Sequence, residues 1–111
     1  MTFPDSFTTL DRIQLLQRSI LVDSFAYYEL NGNILADYQY DNNCKQLMRI
    51  LTEHPDEVKQ SRYYGYFHDF TGETGFHLVA RVREKDPELY RHIWIDALMA
   101  LDSKSKRFKE E

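Results

Sequence analysis

The sequence predicts a small all-α domain, in which a helix-turn-helix hairpin and a C-terminal helix are joined by a short helix or a hairpin. Apolar residues recur every three or four positions over three long segments, which is the spacing of one helix face. Asn31-Gly32-Asn33 follows the first segment, and His54-Pro55 follows the second; both are sequences that end helices. With 111 residues, the chain fits a single domain spanning residues 1–111.

The first predicted helix begins near Thr8 or Thr9, because either hydroxyl can cap a helix, and it ends around Leu30. Its buried face should carry residues spaced by three or four positions, namely Leu10, Ile13, Leu16, Ile20, Ser24 and Tyr27.

The second predicted helix begins at Asp37, whose carboxylate can accept from the free amides of the first turn as an N-cap. It ends before His54-Pro55, because a residue that precedes proline is pushed out of helical backbone. The short turn makes the two helices neighbours, either antiparallel or steeply crossed. The predicted buried stripe consists of Tyr40, Cys44, Leu47, Met48 and Leu51.

The segment between the second and the last helix is the least regular. Residues 56–60 fit a short helical turn, and residues 63–83 fit either of two structures. In residues 63–83, two aromatic or apolar runs flank a Gly-rich loop, a pattern that fits a β-hairpin. It also fits a loop followed by a short helix capped by Thr74, with Phe76, Val79 and Val82 on one side. The second structure is favoured, because an isolated two-stranded hairpin is marginal and the chain supplies no third strand.

The last predicted helix has the clearest boundaries. Asp86 caps it, and Pro87 occupies its first position, where the missing amide costs nothing. We expect it to run to about Lys104, with its apolar face formed by Tyr90, Ile93, Trp94, Ala97, Leu98 and Leu101.

The composition excludes several functions. A net charge of -4 argues against a broad grip on nucleic acid phosphates, so no direct nucleic-acid binding is expected. Its single cysteine, Cys44, allows no intrachain disulfide. No apolar run approaches the ~20 residues of a membrane span, and the N-terminus does not read as a signal peptide. We therefore expect a cytoplasmic protein without a membrane partner.

The candidate site lies at the first corner. Tyr27 and Tyr28 end the first helix, while Asp37, Tyr40 and Asp41 begin the second. Aromatic faces and carboxylates that converge there can hold a flat ring with a sugar attached. The same residue types also serve simply to close a corner, with Asp37 as a cap and the tyrosines as packing residues.

The ordered set of Tyr27-Tyr28, Asp37-x-x-Tyr40-Asp41 and Glu53-His54-Pro55 resembles the N-terminal domain of NAD-dependent DNA ligases. The resemblance covers about residues 10–57. It implies a helical module that binds the nicotinamide mononucleotide (NMN) half of NAD. By that resemblance, Tyr27 and Tyr40 would sandwich the nicotinamide ring. Asp37 and Asp41 would accept hydrogen bonds from the ribose hydroxyls or the carboxamide, and Tyr28 would approach the phosphate.

The chain departs from this family in ways that bear on catalysis. The adenylation motif Lys-x-Asp-Gly is absent, so the chain is not expected to act as a ligase by itself. Residues 58–111 diverge from the family. Thr74-Gly75-Phe76 is similar to a segment of small stand-alone ligase-domain relatives found in phages and their bacterial hosts.

These observations lead to one main hypothesis and two others. The main hypothesis is a non-catalytic module that binds NMN or NAD. In the alternative, the pocket is vestigial, and the protein is a phage-associated accessory or protein-interaction factor with an aromatic surface over residues 63–70. That aromatic run can equally cover the helical core. A third hypothesis is one half of a split ligase, which needs a partner chain bearing the lysine.

Overall fold

The computed structural model describes residues 1–72 and 75–110, with side chains through residue 105. This part of the chain forms helices and contains no strand. The all-α prediction is confirmed, and residues 63–83 adopt the loop and short helix rather than the hairpin. Thr74, the expected cap, lies outside the described residues. In chain order the helices are α1 (Thr9–Glu29), α2 (Asp37–Glu53), α3 (Pro55–Gln60), α4 (Tyr64–Phe67), α5 (Phe76–Lys85) and α6 (Pro87–Glu110).

Helix α1 is the centre of the fold, since α2, α3, α5 and α6 all pack against it. It begins with a reciprocal cap: the Thr8 hydroxyl accepts from the Asp11 amide at 3.1 Å, and the Asp11 carboxylate accepts from the Thr8 amide at 3.0 Å. Because other helices surround α1, its apolar residues are buried on more than one side. The fully buried ones are Ile13, Leu16, Ile20, Leu21, Phe25 and Ala26.

The corner between α1 and α2 forms as the sequence predicts. Asn31 adopts a left-handed backbone with φ 53°, which asparagine tolerates better than most residues. The next amide, that of Gly32, then donates to the Ala26 carbonyl at 2.8 Å and satisfies one of the free carbonyls at the end of α1. The chain turns back at once, so the end of α1 lies beside the start of α2.

The N-cap of α2 is Ala36, so the prediction that Asp37 caps this helix is wrong. The extended backbone lies at Ala36 (φ -65°, ψ 152°), and Asp37 is the first helical residue. The cap is made from inside the helix, because the Gln39 side chain accepts from the Ala36 amide at 3.0 Å. Asp37 keeps a carboxylate at the positive end of the helix dipole.

The predicted stripe of α2 faces the core. Cys44 and Leu47 are buried, and Tyr40, Met48 and Leu51 are partly buried against the same core. As expected, the helix ends at Glu53, and α3 starts at Pro55, whose missing amide is harmless at a first helical position.

The aromatic run of residues 63–70 covers the core. Tyr63, Phe67 and Phe70 are buried. Arg81 of α5 holds this segment in place: its guanidinium donates to the Tyr66 carbonyl at 3.0 Å and to both Asp69 carboxylate oxygens, each at 2.5 Å. The sequence allows this run either to cover the helical core or to form a surface for a partner. The burial of these three rings favours the first role.

Helix α5 turns Leu78, Val79 and Val82 toward the core. Phe76, which was expected on the same side, is instead 54% exposed. The centre of the buried face is about a third of a turn away from Phe76 at the usual helical pitch. The ring of Phe76 therefore lies at the surface, where it contacts Tyr28.

Helix α6 begins as predicted, with Asp86 accepting from the Leu89 amide at 3.0 Å. It continues past the expected end at Lys104 to Glu110. Ile93 and Ala97 are buried, whereas Leu98, expected on the apolar face, is 47% exposed. Helix α6 packs against α1 and α5, and these contacts bury only part of its apolar face.

Candidate functional site

A cavity of about 200 Å³ opens at the corner between the end of α1 and the start of α2. Four of the five site residues predicted from the sequence line it; the fifth, Asp41, is exposed and does not. The lining residues are Asp23, Ser24, Tyr27, Tyr28, Asn33, Ile34, Leu35, Asp37 and Tyr40.

The two tyrosines of α1 form the open side of the cavity. Tyr27 is 56% exposed and Tyr28 is 41% exposed. Their rings meet edge to face, with centroids 4.9 Å apart, and Tyr28 in turn meets the Phe76 ring edge to face at 5.5 Å. Edge-to-face pairs of this kind keep rings in place while leaving a face uncovered. The cavity therefore has aromatic surface available for stacking.

Tyr40 forms the inner side of the cavity. Its ring is partly buried against the core, and its hydroxyl lies 3.2 Å from the Ser24 hydroxyl of α1. Burial raises the pKa of the Tyr40 phenol well above its usual value, so the group stays neutral. Tyr27 and Tyr40 both border the cavity, one from each helix.

Gly75, the residue before α5, packs behind the inner side of the cavity. A Cβ atom at Gly75 would lie 1.9 Å from the Ser24 Oγ and 2.8 Å from the Tyr40 Oη. The backbone of Gly75 is ordinary, with φ -91°, so glycine is needed here for space rather than for conformation. This close approach holds α5 against the hydroxyl pair of Ser24 and Tyr40.

Asp23 is a cavity residue that the sequence pattern did not predict. Its Oδ2 atom is buried and has no hydrogen-bond partner among the described residues. The Ser19 hydroxyl hydrogen-bonds the carboxyl group, but desolvation by burial is the larger effect and raises the pKa of Asp23 to about 6. One signal was present in the sequence, because Asp23 precedes Tyr27 by one helical turn and so shares its face.

The loop of Asn33, Ile34 and Leu35 closes the remaining side. The Lys104 ammonium of α6 donates to the Asn33 carbonyl at 2.5 Å, which ties this loop to the last helix. Nothing in the periodicity of the sequence predicts this contact, because it joins residues far apart in the chain.

The thiol of Cys44 lies behind the cavity in the core, 1% exposed. Burial is the main reason that the pKa of Cys44 rises to about 11; a hydrogen bond from Tyr40 lowers it, and the charges of Asp41 and Asp23 raise it. A thiol in this state is protonated at neutral pH and is a poor nucleophile.

Two further findings concern the described part of the chain only. No three His, Cys, Asp or Glu side chains there lie close enough together to hold a metal ion. None of its helices is long and apolar enough to cross a membrane.

Comparison of the chain with protein-family models, with curated proteins and with solved structures finds no match. The class of protein that the fold and the cavity define is therefore a small helical domain with an aromatic and acidic cavity at a helix-turn-helix corner.

Proposed function

We propose that this protein is a non-catalytic module that binds the nicotinamide mononucleotide part of NAD, or NMN itself, in the corner cavity. The observation that carries the proposal is the composition of that cavity. The resemblance to the ligase N-terminal domain points to Tyr27, Tyr28, Asp37 and Tyr40 from sequence alone, and all four border one opening.

The chemistry of the lining suits the ring and the sugar. Tyr27 and Tyr28 offer exposed aromatic surface to a flat ring, and a cationic ring is attracted to such faces. Asp37 offers carboxylate oxygens that accept hydrogen bonds from hydroxyl or amide groups. Asp41 does not line the cavity, so its role in binding, taken from the same resemblance, is less well supported than that of Asp37.

The size of the cavity limits how much of the ligand it takes. A volume of about 200 Å³ is below the roughly 300–1,000 Å³ of sites that enclose drug-sized molecules. The cavity suits the nicotinamide ring and part of its ribose, with the adenylate half of NAD left in solvent. We therefore expect NMN and NAD to bind with similar affinity.

The test is calorimetric titration of the protein with NMN and with NAD. Tyr27→Ala should weaken NMN binding about tenfold or more, since stacking of a base on an aromatic side chain contributes about 1–3 kcal/mol. Tyr27 is a better site for this change than Tyr40, because Tyr40 also packs against the core.

Tyr38→Ala is the matched control. Tyr38 is 67% exposed on the first turn of α2, close in sequence to the cavity residues, but it does not line the cavity. NMN should bind this variant as it binds the wild type. Absence of saturable binding to the wild type in the millimolar range would reject the proposed function, and equal losses in the two variants would reject the site.

A further inference from the structure

The Asp23 carboxyl group borders the cavity with part of its hydrogen-bonding capacity unused. Its Oδ2 atom is shielded from solvent and lacks a hydrogen-bond partner among the described residues, although the residue borders an open cavity. A buried acceptor without a donor destabilises the folded protein, because it has given up water and gained nothing in exchange. A cation held in the cavity beside Asp23 would offset part of that penalty through charge attraction, without having to reach the shielded atom.

The charges around the cavity favour the same kind of ligand. Among the described residues that border it, the ionisable groups are carboxyls and phenols, and no Lys, Arg or His side chain is present. The Lys104 ammonium, the described cation that contacts the rim, is directed at the Asn33 carbonyl. The ionisable groups that line the cavity with Asp23 are Tyr27, Tyr28, Asp37 and Tyr40, and the Cys44 thiol of α2 is close enough to be affected by the Asp23 charge. On the other side, the Ser19 hydroxyl that hydrogen-bonds Asp23 borders a neighbouring cavity with Met1, whose ammonium donates to the Gln46 side chain.

We propose that Asp23 is a specificity-determining residue, whose carboxylate makes the cavity select a flat ring bearing a positive charge over a neutral ring of the same shape. The inference rests on the proposed function for one assumption, that the occupant is a flat ring. To the proposed function it adds one residue of the site, Asp23, and a rule for which rings the cavity prefers. For nicotinamide compounds, the rule favours the oxidised pyridinium ring over the uncharged reduced ring.

The selection should depend on pH. The pKa of Asp23 is about 6, so the carboxylate is present at pH 8 and largely neutralised at pH 5. The preference for a cationic ring should therefore be full at pH 8 and should fall as the pH is lowered through about 6. The Asp23→Asn variant, whose amide carries no charge at any of these pH values, should lose most of the preference and should not show this pH midpoint; Asp37, which also borders the cavity, accounts for what remains.

Two small probes separate ring charge from the nucleotide. They are 1-methylnicotinamide, a cation, and nicotinamide, its neutral counterpart, titrated by NMR chemical-shift mapping. At pH 8 the wild type should bind the cation about tenfold more tightly, the size expected for one charge-assisted contact. Asp23→Asn should lose most of that preference while keeping its affinity for nicotinamide. The exposed Asp56→Asn on α3 is the control and should behave as the wild type.

The outcomes distinguish this inference from the proposed function. If NMN binds but the wild type and Asp23→Asn show the same ratio of cation to neutral affinity, the inference is overturned and the function stands. If the cationic probe is preferred through Asp23 while NMN fails to bind, the selection rule stands and the nucleotide function is rejected. If neither probe binds the wild type, the inference is overturned. Circular dichroism checks that each variant is folded.

Discussion

The buried carboxyl group of Asp23 should lower the stability of the folded protein, and this can be tested without a ligand. Asp23→Asn should make the folded protein more stable at neutral pH, although it replaces a native residue of the first helix. The two side chains have nearly the same shape, and the amide can keep the contact with the Ser19 hydroxyl. What the substitution removes is the charge that burial opposes.

The pH dependence follows from the two pKa values. The carboxyl titrates near 3.8 in the unfolded chain and at about 6 in the folded protein, so between these values the folded state holds the proton more tightly. Below about pH 3 the carboxyl group is protonated in both states and the penalty is absent. As the pH rises toward 6 the wild type loses stability relative to the variant, and above 6 the difference is constant.

The same two pKa values set the size of the difference in unfolding free energy between the wild type and Asp23→Asn. A rise in the pKa of Asp23 from 3.8 to about 6 on folding corresponds to about 3 kcal/mol of unfolding free energy. Asp23 is only partly buried, and water that reaches the rest of the carboxyl group reduces the penalty to about 1–3 kcal/mol. For a domain of this length, each kcal/mol shifts the midpoint of thermal unfolding by about 4–8 °C.

The assay is urea unfolding followed by circular dichroism at pH 3.0 and pH 7.5. The wild type, Asp23→Asn and the exposed control Asp56→Asn are measured under the same conditions. We expect Asp23→Asn to gain stability over the wild type at pH 7.5 and to match it at pH 3.0, while the control, which removes an exposed first-turn acid of α3, gains no stability at pH 7.5. A variant that is less stable than the wild type at pH 7.5, or equal to it at both pH values, would refute the reasoning from burial.

Two more predictions concern the structure behind the cavity. Gly75→Ala should destabilise the fold by about 1–3 kcal/mol, because its Cβ would lie 1.9 Å from the Ser24 Oγ; Gly65→Ala, where no atom lies within 4 Å, should be neutral or slightly stabilising. Chemical denaturation measures both, and equal effects would contradict the close approach of α5. Cys44, with a pKa of about 11, should be alkylated by iodoacetamide at pH 8 about 100-fold more slowly in the folded than in the denatured protein; similar rates would mean that the thiol is exposed.

Much of the fold could be predicted from local sequence because helix signals are local. The Thr8 cap, the turn at residues 31–33, the break at His54-Pro55 and the Asp86-Pro87 start all act within a few residues of themselves, and the structure has helix boundaries at each. One error is also local, since the N-cap of α2 is Ala36 rather than Asp37. The other errors are of a different kind. The exposures of Tyr27, Phe76 and Leu98, each expected on a buried face, depend on which side of a helix meets a neighbour. All three residues continue an apolar spacing that the neighbour does not fully cover.

The candidate site divides in the same way. The sequence by itself determined that two tyrosines and an aspartate-tyrosine pair meet at one corner, because a short turn brings the two helix ends together whatever else surrounds them. It could not determine that Asp41 stays outside the cavity, that Asp23 borders it, or that Gly75 supports Ser24 and Tyr40 from behind. Those features depend on contacts between residues that are far apart in the chain. Only the packing of the other helices and of the loop before α2 against α1 decides how deeply the Asp23 carboxyl group is buried, and that burial leaves its Oδ2 atom without a partner among the described residues.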